Sequence, residues 1–99
     1  MNIVKKILKL MNLSNDNNKI LSNLDEIKFQ NGSILLEQSY RKNSSNILDH
    51  EFKVYSQWGE DGIISYLINN LDLKNNFFVE FGVENYLESN TRFLLKKFN

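Results

Sequence analysis

The sequence predicts an α/β fold, and three observations carry that prediction. Phe77 to Phe81 (FFVEF) is apolar on both faces except for one carboxylate, the pattern of a central strand in a parallel sheet. Gly82 follows directly and opens a polar loop, VENYLE. Helical stripes flank the run: Ile63, Ile64, Leu67, Ile68 and Leu71 precede it, and Phe93, Leu94, Leu95 and Phe98 follow. The order is helix, strand, loop, helix.

The chain divides into a helical extension with a linker, residues 1–46, and the start of an α/β domain, residues 47–99. The first segment, MNIVKKILKLMNL, spaces Ile3, Val4, Ile7, Leu8, Leu10 and Met11 as a helix and gathers Lys5, Lys6 and Lys9 on the other side. Its lysines interrupt any apolar run, so neither a membrane span nor a signal peptide fits. Such a face packs on its own protein or docks on a partner more readily than it lies on an anionic membrane. SNDNN, Ser14 to Asn18, is expected to break this helix and cap a second one reaching about Arg41. A hairpin at Asn31-Gly32 is the weaker alternative, because its flanks do not alternate. RKNSSN, Arg41 to Asn46, reads as the linker.

Beyond Ile47, Ser56 is expected to cap a helix that carries Glu60 and Asp61 in its first turn, where carboxylates meet the positive end of the dipole. Lys74 to Asn76 form the turn into FFVEF, and Ser89 caps the last helix. A buried parallel strand needs neighbours on both sides, and no second convincing strand is found. The chain therefore reads as the amino-terminal part of a larger domain.

Composition narrows the chemistry. The 99 residues are 41% hydrophobic and 12% aromatic, which suits one small globular domain. Twelve Lys and Arg balance twelve Asp and Glu, so no long-range field draws the whole chain to nucleic acid. With no cysteine, disulfides, thiolate nucleophiles and thiolate-bound zinc are excluded, and a reducing cytoplasmic compartment is compatible. His50 has no second histidine at metal-ligand spacing, so no metal site is expected. Trp58 reads as core, and Lys96 and Lys97 fit the negative end of the last helix.

In open α/β sheets, ligands sit beyond the carboxyl ends of strands. Gly82 lies at that point, and Glu80 places a carboxylate where only a cation or donors would offset its cost. A dinucleotide would need further glycines for its pyrophosphate, whereas acidic residues stand in this loop. S-adenosylmethionine, which carries an ammonium and a sulfonium and no phosphate, fits better.

YSQWGEDGI, Tyr55 to Ile63, followed by FVEFGVENYLESNT, Phe78 to Thr91, resembles the FkbM-type and related bacterial class I methyltransferases, which share an SQ-x-GED segment and a glycine loop ending in SNT. The resemblance covers roughly the second half of the chain. It implies a Rossmann-like domain, S-adenosylmethionine as cofactor, and a small molecule or glycan component as methyl acceptor. On that basis Glu80 and Gly82 lie under the methionine part, and Val83, Glu84 and Asn85 line the loop. Ser89, Asn90 and Thr91 cap the next helix and stand near the ligand, while Gln57, Glu60 and Asp61 close the pocket. The ribose-binding acid, the adenine pocket and the acceptor site of this family lie further along than Asn99, so no catalytic base is assigned. A helical adaptor or oligomerisation protein derived from such a domain is the alternative.

Overall fold

The computed structural model describes residues 2–75 and 77–98. Met1, Asn76 and Asn99 lie outside the described residues, so the turn expected at Lys74 to Asn76 is described only at its first two positions. The elements are a long helix α1 (Ile3–Arg41), one 3₁₀ turn (Ile47–His50), α2 (Glu60–Asn70) and α3 (Arg92–Phe98).

Helix α1 starts where the Asn2 side chain accepts from the Val4 N–H at 3.1 Å, satisfying an otherwise unpaired donor. It then runs 39 residues, about 58 Å at the usual rise. The expected break at Ser14 to Asn18 does not occur. Polar residues of this kind each cost less than about 1 kcal/mol in a helix interior, and the sequence has no proline to enforce a stop. The Asn31-Gly32 hairpin is likewise absent: both residues lie inside α1. The helix ends at Arg41, as its stripe predicted, where the Lys42 N–H bonds back to the Ser39 carbonyl and the chain turns extended.

The core is small and lies against the carboxyl-terminal third of α1. Leu36, Phe52, Val54, Tyr55 and Phe93 form it, with Phe29 and Leu35 packed at its edge. Phe93 meets Phe52 edge-on at 5.7 Å and Phe29 at 6.0 Å, arrangements aromatic rings favour. Upstream, every described residue from Asn2 to Leu24 is exposed.

Helix α2 turns an unexpected side inward. Asp61, Gly62 and Ser65 are buried, whereas Leu67 and Leu71 of the apolar stripe are exposed. Gly62 explains the inversion: a Cβ there would stand 2.1 Å from the His50 carbonyl oxygen, so only glycine lets the helix approach this backbone. Its N–H uses that proximity to donate to the Phe52 carbonyl at 3.0 Å.

The expected central strand is not formed. No residue among those described is in a strand, and the architecture is helical, which overturns the α/β, Rossmann-like reading of the fold. Phe77, Val79 and Phe81 are 75%, 72% and 91% exposed, with irregular backbone and no ladder partner. A strand exists only through its neighbours' hydrogen bonds, and the described residues supply none. No described helix is long and apolar enough to cross a membrane.

Candidate functional site

Glu80 organises the loop that follows it. Its Oε1 accepts from the Asn90 N–H at 2.8 Å, and its Oε2 accepts from the Thr91 N–H at 3.0 Å and from the Thr91 hydroxyl at 2.5 Å. Because that hydroxyl donates to the carboxylate, it accepts from the Tyr86 phenol at 2.6 Å. Glu80 and the SNT segment, read separately in the sequence, therefore form one cluster that closes the loop on itself. Ser89 Oγ accepts from the Arg92 N–H at 3.1 Å, the helix-capping bond its position predicted.

Between these ends the backbone takes three left-handed turns, at Gly82 (φ +75), Glu84 (φ 48) and Tyr86 (φ 64). Glycine accepts this region freely, whereas Glu84 and Tyr86 are strained. The Tyr86 N–H donates to Val83 O at 2.7 Å, and Asn85 Oδ1 accepts from the Leu87 N–H at 3.2 Å, which holds the turn. Nothing lies within 4 Å of where a Gly82 Cβ would be, so the loop crest is open to a ligand. Glu84 and Asn85 are exposed on it and Val83 is half-buried.

Asp61 is spent differently from the expectation of a pocket-closing residue. It is 1% exposed, and its Oδ2 accepts from the N–H groups of Val54, Tyr55 and Ser56 and from the Ser56 hydroxyl, all within 2.9 Å. Ser56 Oγ in turn accepts from the Asp61 N–H at 3.3 Å. Ser56 thus braces Asp61 across the turn into α2, and Gly59 occupies the cap position it was expected to hold. The Ser89 N–H donates to the Tyr55 carbonyl at 3.1 Å, so the Asp61 nest and the Glu80 loop are coupled through one backbone bond.

Gln57 and Glu60 point elsewhere. Gln57 lines a shallow groove of about 360 Å³ with Phe52, Lys53 and Trp58, and Trp58 is 69% exposed, contrary to its expected place in the core. Glu60 accepts from the Trp58 N–H at 2.9 Å. The hydrogen bond from its own backbone N–H outweighs burial and, with the Trp58 and Ser56 donors, holds its carboxyl below the ordinary value.

Two clusters had no local sequence signal. Tyr55 is buried beneath the Arg92 guanidinium, 4.1 Å from its ring, with Lys28 and Lys96 at 5.2 and 5.6 Å. Asp25 pairs with Arg92 at 2.9 Å and Lys96 at 3.1 Å, which ties α1 to α3. Burial pushes the Asp25 carboxyl up, but the Lys96 hydrogen bond and the charges of Arg92, Lys96 and Lys28 outweigh it, so its pKa falls below the ordinary value. Burial pushes Lys96 down, and bonds to Asp25 and Tyr55 more than reverse this. The second cluster is His50, stacked on Tyr66 at 3.8 Å. Its Nε2 lies 2.9 Å from the Ser44 carbonyl and donates to it, and its Nδ1 shares a hydrogen bond of 2.8 Å with the Ser39 hydroxyl. With Tyr66 and Lys42 this pair lines a cleft of about 270 Å³. Ser39 is 3% exposed, which suits a bolt between α1 and the 3₁₀ turn better than a nucleophile.

No family model, curated protein or solved structure matches this chain.

Proposed function

We propose that the chain carries the cofactor-facing segment of an S-adenosylmethionine-dependent methyltransferase acting on a small molecule or glycan component. The observation that carries this reading is the Glu80 cluster. Both halves of the motif, Glu80 and Asn90-Thr91, meet and close a loop whose crest, Gly82, has nothing within 4 Å of its Cβ position. The loop presents the carboxylates of Glu84 and Glu88 to solvent and suits a cationic ligand without phosphate. A carboxylate has about four acceptor positions, and three donors reach Glu80, which leaves room for one more, such as the cofactor's ammonium.

The test is amide NMR during titration with S-adenosylmethionine and with S-adenosylhomocysteine. Shifts concentrated at Gly82, Val83 and Asn85 are expected, weaker in Gly82→Ala. Unmoved loop amides at millimolar ligand overturn the reading. A second reading, a helical adaptor or oligomerisation protein, is favoured by the uncovered first half of α1, Ile3 to Leu24.

A further inference from the structure

Helix α1 leaves most of its length without tertiary support. From Asn2 to Leu24 every described residue is exposed, and Ser14 to Asn18 form a weakly helix-favouring stretch within it. Isolated helices are marginal in water, so a helix of this kind persists through packing on a partner. The chain exposes 7882 Å², against about 5,900 Å² for a compact monomer of its 11.7 kDa mass.

The exposed residues are ordered in a particular way. Leu10, Leu13, Ile20, Leu24, Ile27 and Ile34 fall on one series spaced alternately by three and four, and Asn17 and Asn31 fill its two remaining positions. This is a heptad seam sustained over more than three repeats. All six aliphatic members are exposed, from 49% at Leu13 to 66% at Leu10. The seam lies about 130° around the helix from the Phe29, Gly32 and Leu36 side that packs on the core, so a partner reaches it unobstructed. Lys6 continues the series upstream and would set like charges in one layer, which ends the seam at Leu10.

We propose that α1 pairs in parallel with α1 of a second copy of this chain, as a two-stranded coiled coil whose register is set by Asn17 and Asn31. The asparagines identify the partner. Both occupy the first core position of their heptads, where an amide is best met by an identical amide at the same level. A parallel, in-register copy brings Asn17 to Asn17 and Asn31 to Asn31. An antiparallel copy sets each against an isoleucine or leucine and leaves it unsatisfied. Isoleucine at the alternate core position leans towards more strands, and the paired asparagines select two. The six aliphatic side chains of each copy place about 1,000 Å² in the pair, the threshold for a specific interface. This deepens the adaptor reading by naming its partner and leaves the cofactor titration unaffected.

Sedimentation of the full chain is expected to give a dimer. The double substitution Leu24→Glu with Ile27→Glu alters exposed residues only, so it should weaken association at least ~100-fold while the near-ultraviolet signal of the core is retained. The sequence has no cysteine, so Asn17→Cys supplies a single thiol. Mild oxidation should link it across a parallel pair. A monomeric chain overturns the proposal, as does association that survives the double substitution, or a dimer that fails to cross-link at Asn17→Cys. A monomer that instead binds phosphatidylglycerol vesicles through Ile3 to Met11 and its lysines also overturns it.

Discussion

Asp61 binds four donors while 1% exposed, which makes it the most consequential single side chain. Asp61→Ala leaves buried N–H groups of Val54, Tyr55 and Ser56 unpaired. A loss of about 3 kcal/mol or more in urea unfolding is expected. Ser89→Ala should cost about 1 kcal/mol, the value of a lost helix cap, by the same measurement. Asp25 adds a pH dependence. Its folded pKa lies below the ordinary 3.8, so its contribution is complete above that value and disappears as pH falls through the folded value. Lys96 lies above its ordinary 10.5, so its contribution is complete below that and is lost in stronger alkali. A urea midpoint flat near neutrality and falling below about pH 4, with a shallower fall in Asp25→Asn, is the expected outcome. Of these residues, Ser89 was legible as a cap because capping is local. Asp25 was not, because its partners lie 67 and 71 positions away.

At the scale of elements, periodicity located α2, α3 and the carboxyl end of α1, since a helix is stabilised by its own neighbours in sequence. It misassigned two features for different reasons. The Ser14 to Asn18 break is a local preference too small to interrupt a helix without proline, and the FFVEF strand is a pattern that acquires structure only from other strands. The buried side of α2 was also hidden, because what is fully buried is Asp61, Gly62 and Ser65, while Ile63, Ile64 and Ile68 of the apolar stripe are only half-buried. Gly62→Ala tests that packing. The intrinsic helix gain is about 1 kcal/mol, yet the new methyl meets backbone at 2.1 Å, so net destabilisation of about 1–3 kcal/mol is expected by thermal or urea unfolding.

For the molecule as a whole, the radius of gyration is 18.5 Å and the long dimension 64 Å, against about 13 Å for the radius of a compact domain of this length. Stability is accordingly uneven. In the Leu24→Glu, Ile27→Glu variant, amides of residues 3–24 should exchange with solvent far faster than those of 29–39, which hold the core. Equal protection in that variant would mean that the upstream helix draws on support other than its seam.

The uncovered run from Phe77 to Phe81 carries a hazard of its own. Its backbone lacks ladder partners and its phenylalanines face water, so identical copies offer one another the edge-to-edge stacking that seeds fibrils. Glu80 sits inside that run with a charge that identical stacks would have to repeat at every layer, and its bonds to Asn90 and Thr91 fasten one end of the run to the α3 cap. The carboxylate that closes the loop therefore also sets a charge against edge-to-edge stacking of this run.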